Sequence, residues 1–97
     1  MKQEEKLAKY FRALAAPARL QLFNLLKQRM LCVNALAAAL NMTPAAVSQH
    51  LRVMREAGLI RSEKRGYFVH YRLEPEALRE LSNLVQKLVR IEREHDE

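Results

Sequence analysis

The sequence predicts one mainly α-helical domain spanning residues 1–97, with about five helices and a small β-hairpin as its sheet. Three observations carry that expectation. Apolar residues recur at intervals of three and four along several stretches, the period of a helix with one buried face. A stretch after Gly66 alternates with a period of two, as a strand does. Between these stretches stand residues that start and stop helices, namely Thr43-Pro44, Gly58 and Pro75.

The elements follow in chain order. Leu7, Tyr10, Phe11 and Leu14 sit at i, i+3, i+4 and i+7, one face of an N-terminal helix. Residues 33–40 are rich in the best helix formers, and Asn41-Met42 supplies a short turn. Thr43 is a hydroxyl cap, and Pro44 suits the first helical position. Val47, Leu51 and Met54 then make a stripe to bury, and Gly58 accepts the left-handed backbone of a helix stop. Residues 59–65 turn at Gly66 into residues 67–73, where Tyr67, Val69, Tyr71 and Leu73 alternate with Phe68, His70 and Arg72. After Pro75, a wide apolar stripe of Leu78, Leu81, Leu84, Val85, Leu88 and Ile91 marks a last helix. Helix, short turn, helix and basic hairpin, in that order, make a winged helix-turn-helix.

The chemistry of the second helix of that pair points to double-stranded DNA. Ala45, Ser48, Gln49 and Arg52 share the face opposite the buried stripe. Gln49 suits adenine, Arg52 suits guanine or phosphate, and Ser48 is short enough for either kind of edge. Thr43 and Ala45 form the end that approaches a surface closely. Lys64 and Arg65 flank the hairpin turn, where they should grip backbone or minor groove. The same cations also fit an ordinary solvated surface, and a winged helix can serve purely as a protein-interaction module. Such a module has no need for polar groups on its second helix or cations on its wing, and this chain has both.

Composition agrees with that reading. Residues 1–42 carry seven Lys and Arg against two acids, residues 43–72 six against two, and residues 73–97 four against seven. The positive excess lies away from the C-terminal segment, as expected if that segment faces away from a polyanion. The apolar runs fall far below a membrane span, and the start lacks a signal-peptide core, which predicts a cytoplasmic protein. One cysteine excludes a disulfide framework within the chain. Glycine-rich phosphate loops, nucleophile elbows and paired His and acid groups at useful spacing are missing, so an enzyme is not expected. A domain this small cannot easily bury both terminal stripes alone, which favours a homodimer.

Several blocks together make the pattern specific. Ala16-Pro17-Ala18-Arg19-Leu20, Leu31-Cys32-Val33-Asn34-Ala35-Leu36, Ala46-Val47-Ser48-Gln49-His50-Leu51, Ala57-Gly58-Leu59-Ile60 and Gly66-Tyr67-Phe68-Val69-His70-Tyr71 resemble the ArsR/SmtB repressors. The resemblance runs from about residue 7 to about residue 90. It implies a homodimeric repressor that releases a near-palindromic operator when an inducer binds. It also implies that the first and last helices pack against their copies across a two-fold axis, through Leu7, Tyr10, Phe11, Leu14, Leu78, Leu81, Leu84, Val85 and Leu88.

The inducer is where this chain departs from the family. Arsenic-responsive relatives carry Cys-Val-Cys-Asp-Leu at the start of the support helix, and here the block is Cys32-Val33-Asn34-Ala35-Leu36. One thiol per subunit falls short of that arsenic site. Zinc-sensing relatives place acids and histidines where this chain has Pro75, Ala77, Leu88 and Ile91, so neither metal nor cofactor is expected. His50, His70 and His95 do not rebuild a site by spacing. Cys32 has two readings. It is a small apolar residue filling a junction, or a sensor thiol near a helix N-terminus among Lys27 and Arg29. The identity of the inducer stays open at this level, as does its existence.

Overall fold

A computed structural model describes residues 2–92. The elements are α1 (Gln3–Leu14), α2 (Pro17–Gln28), β1 (Leu31–Cys32), α3 (Val33–Leu40), α4 (Pro44–Glu56), β2 (Ile60–Arg65), β3 (Phe68–Leu73) and α5 (Pro75–Val89). The strands form one antiparallel sheet in the order β1-β3-β2.

The helix-turn-helix pair is α3 and α4, and each of its joints has a local cause. The α3 helix ends where Asn41 adopts a left-handed backbone (φ 54°). The Met42 N–H then reaches Ala37 O at 3.0 Å and the Asn41 N–H reaches Ala38 O at 3.3 Å, the paired closure of a Schellman motif. At the start of α4, Thr43 Oγ1 accepts from the Ala46 N–H at 3.1 Å. The α4 helix ends in a second Schellman motif, with Gly58 at φ 83°, Leu59 N on Met54 O at 3.0 Å and Gly58 N on Arg55 O at 2.9 Å. Its hydrophobic follower, Leu59, is buried.

The stripe of Val47, Leu51 and Met54 is buried as its period predicts, against Leu22 of α2 and Leu36 of α3. Burial of each such side chain contributes roughly 1.5–3 kcal/mol, so α4 is held firmly from behind. At the other end of the domain α1 packs on α2, α4 and α5. Leu7 and Tyr10 of α1 and Leu81 and Leu84 of α5 are buried within the chain itself. Phe11, Leu78 and Leu88 are exposed, while Leu14 and Val85 are half-buried. The stripes expected at a subunit contact therefore divide, and the chain covers their inner halves by itself.

The wing is the expected two-stranded hairpin, β2 and β3, and a short third strand, β1, extends its sheet on the far side of β3. Leu31 pairs with Tyr71 and Cys32 with His70. Two residues are too few to show a period, and their partners lie far along the chain, so the strand leaves no local signal. The second wing strand begins at Phe68, not Tyr67. Tyr67 belongs to the turn with Gly66, whose φ is 63°.

Candidate nucleic-acid interface

The exposed side of α4 carries the residues that its sequence singled out. Ala45, Ser48, Gln49 and Arg52 are all exposed, and Thr43 stands exposed at the cap. The hydroxyl of Thr43 already accepts the Ala46 N–H, so its first task is to start the helix. Arg52 Nε lies 3.4 Å from Glu56 Oε2, one turn further on. Both side chains are largely in water, so this pair opens at little cost when a stronger anion arrives.

The wing brings its cations around one carboxylate. Glu63 in β2 meets Arg65 at 3.4 Å, Arg72 at 3.4 Å and Arg61 at 3.7 Å, and Arg61 also lies 3.8 Å from Glu74. Desolvation raises the Glu63 pKa, but the hydrogen bonds from Arg65 and Arg72 outweigh it, so the carboxyl sits below its ordinary range. Three guanidinium groups thus share one acid and keep net positive charge on the wing. Among the described residues Lys64 has no carboxylate partner. The strand alternation that puts residues 61, 63 and 65 on one face was the available sign of this cluster.

Two residues, Arg19 and Glu80, fix the frame behind the interface with two contacts each. Arg19 of α2 donates through Nε to Ala13 O at 2.7 Å and through Nη1 to His50 Nδ1 of α4 at 3.1 Å. On the far side, Glu80 of α5 accepts from Tyr10 at 2.6 Å and also binds Lys6 of α1. Burial, and then the Glu80 hydrogen bond and charge, push the Tyr10 pKa up to about 12. The hydrogen bonds from Lys6 and then Tyr10 hold the Glu80 carboxyl below its ordinary range. None of Arg19, Lys6, Glu63 or Glu80 stood out in the sequence as part of the site.

Cys32 occupies a joint. It ends β1, serves as the residue preceding α3 and is half-buried. His70 faces it across the sheet, and the next position over, in β2, is Glu63. His70 Nδ1 is the one buried side-chain nitrogen or oxygen without a hydrogen-bond partner among the described residues. Among those residues no three His, Cys, Asp or Glu side chains gather closely enough to hold a metal. His95 lies outside the described residues. No described helix is long and apolar enough to cross a membrane.

A helix with a polar outer face, seated on a support helix and followed at once by a cationic hairpin, defines a winged helix-turn-helix DNA-binding protein. Known proteins agree. The family model for "Bacterial regulatory protein, arsR family" matches residues 16–62. The arsenical resistance operon repressor of Escherichia coli K12 is 36% identical over 85 residues, which cover 87% of this chain and 73% of that protein. A transcriptional repressor SmtB homolog of Synechocystis is 41% identical over 71 residues, 73% of this chain and 54% of that protein. This chain thus spans about half the length of the SmtB relative, as it does of the SmtB repressor of Mycobacterium tuberculosis, where the share is 46%.

Solved structures give the same answer. A crystal structure of a possible transcriptional regulator for arsenical resistance has TM-score 0.77 and 38% identity, covering 86% of each chain. The homodimeric winged helix-turn-helix DNA-binding domain of a possible ArsR-family regulator from Mycobacterium bovis has TM-score 0.73 and 32% identity, covering 87% of this chain and 78% of that one. This chain belongs to the ArsR/SmtB family of bacterial transcriptional repressors, which are not enzymes.

Proposed function

We propose that this protein is a homodimeric cytoplasmic repressor that binds a near-palindromic operator and leaves it when an inducer acts. The carrying observation is α4, whose inner stripe is locked in the core while Ala45, Ser48, Gln49 and Arg52 stand exposed. Ser48, Gln49 and Arg52 read base edges or adjacent phosphates, and Lys64 and Arg65 hold the flanking backbone from the wing. Phe11, Leu78 and Leu88 supply the apolar surface left for a second subunit. A symmetric pair would set two α4 helices about one DNA turn apart, roughly 34 Å, which calls for matching half-sites. Cys32 is the candidate inducer-responsive thiol, because a modification there would act on β1 and α3 together.

The test is operator affinity by fluorescence anisotropy, on DNA from just upstream of the protein's own gene. Reduced protein is compared with protein modified at Cys32. Tight binding lost on modification supports a thiol-gated repressor. Tight binding that ignores modification leaves the repressor and removes Cys32 from the switch. Binding no better than to random DNA in both states refutes the reading and favours an interaction module.

A further inference from the structure

The tip of the wing carries an aromatic residue that folding does not use. Tyr67 is 99% exposed, and the next two residues, Phe68 at 59% and Val69 at 44%, are exposed as well. Gly66 and Tyr67 make a two-residue turn with positive φ at glycine alone, the type II′ pattern, which thrusts Tyr67 outward at the end of the hairpin. Across the ladder Arg65 stands opposite Phe68 and Lys64 opposite Val69. The tip is therefore an apolar point with a cationic collar.

That combination selects among partners. A second copy of the same tip would bring Lys64 and Arg65 against their own kind. A duplex minor groove offers the reverse: negative potential for the collar, sugar walls for the ring, and a width of about 6 Å that admits a narrow tip. Its floor carries acceptors at A·T pairs, whereas G·C pairs add an amino donor that opposes another donor. A tyrosine hydroxyl there donates to an A·T acceptor, whereas at a G·C pair the guanine amino group projects from the floor and blocks its approach to the acceptors beneath.

We infer that Tyr67 enters the minor groove beside the major-groove site and makes this protein select A·T pairs there. The inference rests on the DNA-binding reading above and adds a second point of sequence discrimination, carried by a residue with no charge.

The experiment separates the two readings. The footprint on the upstream fragment locates the pairs flanking the major-groove core, and these are made A·T, G·C or I·C in otherwise identical duplexes. An I·C pair keeps the major-groove face of G·C and lacks the minor-groove amino group. The full chain should bind the A·T and I·C duplexes alike and the G·C duplex about 3- to 10-fold more weakly, the size of one neutral hydrogen bond. Tyr67→Ser should bind more weakly overall and lose the difference among the three, while still preferring the core over scrambled DNA. Tyr67→Phe should lose the A·T preference and recover part of the affinity through ring contact. If the full chain binds core over scrambled DNA but treats all three flanks alike, the inference falls and the repressor reading stands. The inference also falls if Tyr67→Ser keeps the flank preference. If the full chain does not discriminate core from scrambled DNA, both fall together.

Discussion

Arg19 and His50 lie 31 residues apart in sequence, yet Arg19 Nη1 is 3.1 Å from His50 Nδ1. A guanidinium has donors only, so Nδ1 must be the acceptor and the ring proton must sit on Nε2. One arginine thereby ties the end of α1, through Ala13 O, to the helix that carries the reading face. Ring nitrogen NMR should find His50 as the Nε2–H tautomer in the free protein. Arg19→Met should release that tautomer and destabilise the domain by about 1 kcal/mol, lowering Tm by roughly 4–8 °C. A ring protonated at Nδ1, or an unchanged melt, would remove this tie from the account.

Gln49 and Arg52 stand on the exposed face of α4. Alanine at either position should cost roughly 1–3 kcal/mol on the operator, mostly as lost specificity. An equal loss on random DNA would mean that they position the protein and do not read bases. Under the proposed contact Glu56 competes with DNA for Arg52, so Glu56→Ala should strengthen binding by roughly 0.3–0.5 kcal/mol, the worth of one exposed i,i+4 ion pair. Weaker binding by that variant would contradict the competition.

Glu63 neutralises part of a three-arginine cluster on the wing. Its carboxyl sits below the ordinary range, so it stays charged at every pH where the protein is expected to work. Glu63→Gln should therefore steepen the salt dependence of DNA binding by about one unit, and Arg65→Ala should flatten it by about 0.9. The quantity to measure is the slope of log affinity against log salt. Two slopes identical to that of the unaltered protein would place the wing off the DNA.

Tyr10, Glu80 and Lys6 clamp α1 to α5, and the shifted titrations of Tyr10 and Glu80 set a pH window for the clamp. The Glu80 pKa is depressed below 4.5, so its contribution is present above that value and fades as pH falls through the depressed one. The Tyr10 pKa is raised from 10.0 to about 12, so its contribution is full below 10.0 and is lost as pH rises through about 12. Thermal melts across pH should show both edges. Tyr10→Phe should erase the alkaline edge and cost about 1 kcal/mol at neutral pH. A profile unchanged by that substitution would sink the clamp.

The features legible in the sequence are those with local causes. Thr43, Pro44 and Gly58 mark the ends of α4 because capping acts within one turn, and Val47, Leu51 and Met54 mark its buried side because burial follows the helical period. The exposed residues of its other side follow by subtraction. What the sequence hides joins distant positions: Leu31 with Tyr71, Arg19 with His50, Lys6 with Glu80. The apolar stripes of α1 and α5 were legible, but the division between self-contact and exposed surface was not. That division depends on how two helices from opposite ends of the chain meet.

The pairing of Leu31 with Tyr71 encloses α3, α4 and the first wing strand in one closed loop of chain. The wing hairpin can zip from its own turn, but this closure must bring together segments 40 positions apart and so carries a larger entropy cost. The reading helix is thus the enclosed middle of a ring whose clasp is only two residues long. Opening the clasp need not unwind α4. It would release β1 and the start of α3 from β3. Meanwhile β3 stays paired with β2 and the stripe of α4 stays in the core, so the clasp sets how the support helix is held against the wing.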